Sequence, residues 1–145
     1  MDDLTLLIPA KQESESLPKV LDELKKYNYK INIILDKDDY QTINSVKNYN
    51  VNIIHQKYKG YGDALIHGIN SCDTQYFCIF NADGSFNPIE INKILQKLKS
   101  DNLDFVFASR YTKNGGSEDD TIITLIGNYI FSSIGKIFFK LDISD

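Results

Sequence analysis

The chain has 145 residues, room for one domain with one core, and its 42% hydrophobic and 25% charged content is that of an ordinary globular protein. A net charge of -4 excludes a general nucleic-acid binder, which needs a basic surface to release counterions. Met1 is followed by Asp2 and Asp3 instead of a basic segment, so no secretory signal is expected, and Cys72 and Cys78 fit no metal or redox spacing, which reads as a reducing, cytoplasmic compartment.

"LTLLIP" (Leu4 to Pro9) is apolar throughout and reads as a buried strand. Leu17, Val20, Leu21 and Leu24 then recur at helical spacing, with Ser16 as the expected N-cap. "INIILD" (Ile31 to Asp36) is a second strand, and a weaker helix around Ile43 and Val46 leads to a third, "VNIIH" (Val51 to His55). Ala64, Leu65, Gly68 and Ile69 mark the next helix, and "YFCIF" (Tyr76 to Phe80) the fourth strand. After it comes a helix whose start carries Asn87 as cap, Pro88 in the first turn and Glu90 to complete a capping box, with Ile91, Ile94, Leu95 and Leu98 on its buried face. "LDFVFAS" (Leu103 to Ser109) reads as a fifth strand, and a last helix is expected from about Thr121. Asn128, Ser132, Ser133 and Lys136 interrupt that helix too often for a membrane span, which needs about 20 nearly unbroken apolar residues; its apolar face is expected in the core, with a bilayer surface as the alternative.

Apolar strands alternating with amphipathic helices specify an α/β fold with a mostly parallel sheet, covered by helices on both faces. Ligands of such sheets bind in the crevice beyond the carboxyl ends of the strands. The polar residues fall at that edge: Lys11, Gln12 and Glu13 after the first strand, Asp36 after the second, Asn81 and Asp83 after the fourth, and Ser109 and Arg110 after the fifth.

Asp83, with Gly84 and Ser85 next in the chain, can approach a hard cation closely; equally, Asp83 or Ser85 could only hydrogen-bond the turn. Asp36 can accept hydrogen bonds from a base or ribose, or belong to a solvated acidic turn with Asp38 and Asp39. Gly60 and Gly62 open a helix and allow close backbone approach to a ligand, yet the stretch is neither a dinucleotide fingerprint nor a phosphate loop. Arg110 suits a phosphate, or a surface ion pair. His67, on the helix that Gly60 and Gly62 open, reads as structural, and nothing pairs His55, at a strand end, with a nucleophile.

In this order the pieces resemble family-two glycosyltransferases, in particular the dolichol- or polyprenyl-phosphate sugar transferases. The resemblance rests on "LIPAKQESESLPKVLDEL" with Pro9, Ala10 and Glu13, on "IILDKDDYQT" with Asp36 and Thr42, on the stretch from Lys59 to Pro88, and on "ASRYTKNGGS" with the helix after it, so that it spans essentially the whole chain. It implies a GT-A (Rossmann-like) nucleotide-sugar domain spanning residues 1–145 as a single unit, with a further acceptor-side segment that would leave this chain incomplete at its C-terminus. It implies inverting transfer of a sugar from a nucleotide-sugar donor to a polyprenyl-phosphate or glycan acceptor. Glu13 and Asp36 would lie against base and ribose, with Pro9, Ala10, Gly60, Gly62 and Asn81 completing the donor site. Asp83, with Ser85, would hold Mg2+ or Mn2+ on the diphosphate. Arg110, taken with Asp83 as catalytic, and the loop of Gly115 and Gly116 would face the acceptor. A lipid-phosphate acceptor would place the protein peripherally at the inner face of the membrane. The chain departs from the family at Asn81, where a carboxylate is usual, and at Lys11-Gln12, where the family has tyrosine and asparagine. A non-catalytic nucleotide-sugar-binding or interaction domain and a sugar nucleotidyltransferase remain the alternatives.

Overall fold

A computed structural model describes residues 3–108 and 122–139. In chain order the elements are β1 (Leu4–Pro9), α1 (Leu17–Leu24), β2 (Lys30–Leu35), α2 (Tyr40–Val46), β3 (Asn52–His55), α3 (Tyr61–Asn70), β4 (Tyr76–Ile79), α4 (Ile89–Ser100) and α5 (Ile122–Phe139). The strands form one parallel sheet in the order β3-β2-β1-β4. The chain winds outward from β1 to β3, then returns to place β4 on the other side of β1. This reversal makes β1 and β4 the switch point, where diverging connections leave a crevice at the strand ends.

β1 and β2 are buried almost residue by residue. Successive side chains of a strand point to opposite faces, so both faces of the sheet are covered along these two central strands, while β3 and β4 are half-buried or exposed. On one face Leu7, Ile34 and Ala64 of α3 form a cluster with Ile54 and Cys72 packed against it. Leu6, Ile8, Ile33 and Leu35 lie on the other face and are equally buried. The stripe Leu17, Val20, Leu21 and Leu24 of α1 is buried along its length. Cys78 of β4 is a half-buried free thiol, and burial pushes it up to about 11, so it behaves as a small hydrophobe.

Helix starts use different devices. Asp39 caps α2, its carboxylate accepting from the Thr42 N–H at 3.3 Å. Asn87 Oδ1 accepts from the Ile89 N–H at 3.0 Å, so the expected cap of α4 forms. Ser16 does not cap α1: its backbone is already helical, and its hydroxyl donates to the Glu13 carboxylate, an ionised and therefore stronger acceptor.

The chain divides into two compact units, Met1–Ile91 and Asn92–Asp145. The first holds the whole sheet. In the second, the expected fifth strand does not form: residues 103–108 carry no strand, and Phe105 and Phe107 are 62% and 70% exposed. Their rings pack edge to face on one another, 5.2 Å apart, but an alternating pattern becomes a strand only where a neighbouring ladder takes its N–H and C=O groups. The last helix forms where expected. Tyr129, Phe131, Ile137 and Phe138 are each more than 70% exposed. Among the described residues no helix is long and apolar enough to cross a membrane.

Candidate functional site

The first unit carries a cleft of about 540 Å³ at the carboxyl ends of its strands. The ladder continues one residue past β1, β3 and β4: Ala10 N–H donates to Ile34 C=O, Gln56 N–H to Leu35 C=O and Phe80 N–H to Leu7 C=O, each at 2.9–3.0 Å. The loops beyond the four strand ends line the cleft. Pro9, Ala10, Lys11 and Glu13 come from the β1 end, Asp36 from β2, Gln56, Lys59 and Gly60 from the β3 end, and Asn81, Ala82 and Asp83 from β4.

The β1 loop is pinned from the side. Gln12 adopts a left-handed φ of 59°, and its N–H donates to Asp39 Oδ2 at 2.7 Å, while the Glu13 N–H donates to the buried Thr42 hydroxyl at 3.0 Å. Burial pushes the Asp39 carboxyl up, but donors from Gln12 and Thr42 outweigh it and hold the group below its ordinary value. The loop after β3 is held in the same way. Asp63 in the first turn of α3 accepts the N–H groups of Lys57 and Tyr58 at 3.0 and 2.9 Å, and His67 Nδ1 lies 3.1 Å from the Asp63 carbonyl oxygen. Gly60 precedes α3 with φ of 119°, a conformation that disfavours a side chain.

At the β4 end Phe80 is buried, its ring set edge to face on Phe86. The chain then folds back on itself. Asn81 Nδ2 donates to Ser85 Oγ at 3.0 Å, and the Ser85 N–H donates to Asp83 Oδ1 at 2.9 Å. The Ser85 backbone and hydroxyl hold the Asp83 carboxyl below its ordinary value, so it is a firmly ionised group at an exposed edge. Gly84 makes the return turn at φ of 83°.

Of the residues that the sequence marks as site candidates, Pro9, Ala10, Glu13, Asp36, Gly60, Asn81 and Asp83 come together in this cleft. Gly62 and Ser85 stand outside its lining: Gly62 is inside the first turn of α3, and Ser85 braces Asp83 from behind. Arg110, Gly115 and Gly116 lie outside the described residues. Gln56, Lys59 and Tyr61 line the cleft although the sequence reading does not single them out as site residues. A signal for Lys59 is present in "YKGYGDALIHG", where a lysine directly precedes the first of two glycines at a helix start.

The sequence profile of glycosyl transferase family 2 matches residues 5–143. The chain belongs to this family. Its curated relatives include a UDP-N-acetylglucosamine–dolichyl-phosphate N-acetylglucosaminyltransferase from Methanococcus voltae, 27% identical over 89% of this chain and 60% of that protein. Another is a dolichol-phosphate mannosyltransferase from Pyrococcus furiosus, 27% identical over 80% of this chain and 35% of the relative. An uncharacterized protein of Methanocaldococcus jannaschii is 25% identical over 88% of this chain and 55% of its own length. The chain thus spans about a third to three-fifths of the curated relatives it matches. A crystal structure of mannosyl-3-phosphoglycerate synthase from Rubrobacter xylanophilus superposes with a TM-score of 0.59 at 14% identity, covering 66% of this chain and 35% of that one, which establishes the GT-A type of fold.

Among the described residues no group of three or more His, Cys, Asp or Glu side chains could hold a metal ion. Asp83 alone offers an ionised carboxylate at the β4 edge, and a carboxylate has acceptor sites beyond the one that Ser85 uses. That donor set suits Mg2+ or Mn2+ shared with phosphate oxygens of a ligand and does not suit a cation caged by protein.

Proposed function

We infer that this family 2 chain binds a nucleotide-sugar donor in the strand-end cleft and transfers its sugar, with inversion, to a polyprenyl-phosphate or glycan acceptor. The observation that carries the reading is the convergence of Glu13, Asp36 and Asp83 from three strand ends on one cleft. Glu13 and Asp36 accept hydrogen bonds from the base and ribose. Asp83, braced by Ser85, would face the diphosphate and hold a divalent cation there. When bound, that cation supplies Lewis-acid stabilisation of the charge that develops on the departing nucleoside diphosphate. A lipid-phosphate acceptor brings its own anionic nucleophile and needs no general base, whereas a sugar hydroxyl would need one. The relatives that act on dolichyl phosphate favour the lipid-phosphate acceptor, reached at a membrane surface, with Arg110 facing it.

The test is transfer from UDP-N-acetylglucosamine or GDP-mannose to a short polyprenyl phosphate in the presence of Mn2+. Asp83→Ala is expected to lower transfer at least about a hundredfold, with an unchanged melting temperature. Transfer at the parental rate in Asp83→Ala would sink the metal-side assignment. A second reading, a binding domain without turnover, is favoured by Asn81, whose amide removes one negative charge beside Asp83. Donor binding without transfer or donor hydrolysis would select it.

A further inference from the structure

The carboxylates of the cleft are engaged, and its lysines are not. Ser16 Oγ donates to the Glu13 carboxylate, the Asp38 N–H donates to Asp36 Oδ1 at 3.1 Å, and the Ser85 N–H donates to Asp83 Oδ1 at 2.9 Å. Lys11 and Lys59 line the same cleft, are exposed, and make no ion pair or hydrogen bond with any described residue. Elsewhere on the chain lysines do find carboxylates: Lys25 pairs with Asp22 at 2.6 Å, Lys30 with Asp73 at 2.5 Å and Lys97 with Asp101 at 2.7 Å. In the cleft the carboxylates stay ionised but are held by local N–H and O–H donors, and the two lysine charges are left without a carboxylate partner among the described residues.

These two charges sit on braced loops. Lys11 precedes Gln12, whose N–H is fixed by Asp39, and Lys59 comes directly after Lys57 and Tyr58, whose N–H groups are fixed by Asp63. They approach from the ends of β1 and β3, on either side of the β2 end that carries Asp36. At the third edge Asn81 is neutral and spends its amide on Ser85. A ligand with two adjacent negative groups meets less repulsion here than a paired-carboxylate edge would give, and lysine binds phosphate as a compact point charge.

We propose that Lys11 and Lys59 bind the phosphates of the nucleotide-sugar donor directly, so that this cleft retains a nucleoside diphosphate without a divalent cation. The inference rests on the proposed donor site. Asp83 would hold a divalent cation on the leaving-group side, while the lysines supply ground-state binding of the diphosphate.

Isothermal titration of the full chain with UDP and GDP, and with uridine and guanosine, in EDTA and in Mn2+ tests this. The diphosphates are expected to bind in EDTA, and Lys11→Gln and Lys59→Gln each to weaken them by about tenfold. The nucleosides should bind the variants as they bind the parent, and Lys59→Arg should keep diphosphate affinity within about threefold, because the charge remains. Far-ultraviolet melts check that each variant is folded. Diphosphate binding that requires Mn2+ and is indifferent to both glutamine substitutions overturns the lysine assignment while leaving the donor site standing. A parent chain that binds neither nucleosides nor diphosphates under either condition overturns both.

Discussion

Asn81 and Asp83 show how one residue sets the character of a site. The Asn81 amide donates to Ser85 Oγ, and Ser85 in turn donates to Asp83, so the amide at position 81 braces the neighbouring carboxylate. Asn81→Asp would lose that donor and set a second negative charge beside Asp83. In that variant Mn2+ titrated with UDP is expected to bind more tightly, by about tenfold, because a second carboxylate can share the ion. An equal or weaker Mn2+ affinity would show that residue 81 lies outside the metal's reach. Asp39 gives a pH dependence. Its pKa is depressed in the folded chain, since hydrogen bonds from Gln12 and Thr42 outweigh its burial. The unfolded chain therefore takes up the proton first. The stabilisation is complete above the ordinary Asp range near ~3.9 and is lost as pH falls through the lower folded value. Urea melts between about pH 5 and pH 3 should lose stability with a shallower slope in Asp39→Ala than in the parent.

At the scale of the element, α3 positions one wall of the cleft and is held by its small residues. A Cβ added at Gly68 would lie 2.9 Å from Ile34 Cδ1 and 3.5 Å from Leu7 Cδ1, both inside the fully buried core. Gly68→Ala is expected to cost about 1–3 kcal/mol by overpacking, measured by denaturant unfolding. Gly62 is the contrasting case. A Cβ there meets nothing within 4 Å, so Gly62→Ala should stabilise by up to about 1 kcal/mol through helix propensity. Because Gly62 stands outside the cleft lining, UDP affinity in that variant should match the parent, and a lost affinity would restore it to the donor site. Much at this scale is legible in the sequence. The first four strands, the α4 cap and the α1 stripe arise from local periodicity and side-chain chemistry, which nearest neighbours decide. Ser16 departs from its expected capping role because Glu13 competes for the hydroxyl at the same short range. The run from Leu103 does not become a strand because alternation records only what one chain offers, and a ladder needs a second.

For the molecule as a whole, the site is only as firm as the sheet that carries it. Leu7 is fully buried in the cluster that joins β1, β2 and α3. Leu7→Ala is expected to cost about 2–5 kcal/mol, a large share of the ~5–15 kcal/mol typical of a domain. Donor binding and the melting temperature should fall together in that variant, whereas Lys59→Gln changes binding alone. The amino-acid sequence by itself determined the parallel α/β class, the membership in family 2 and the rule that strand ends carry the chemistry. These rest on order, periodicity and residue type, which are properties of the chain read along its length. Only the tertiary structure decided that Glu13, Asp36 and Asp83 share one cleft, that Lys11 and Lys59 stand there without a partner among the described residues, and that Asn81 works as a brace. Each of these depends on which groups satisfy one another across the strand order β3-β2-β1-β4, and that accounting of hydrogen bonds and charge exists only once the chain has folded.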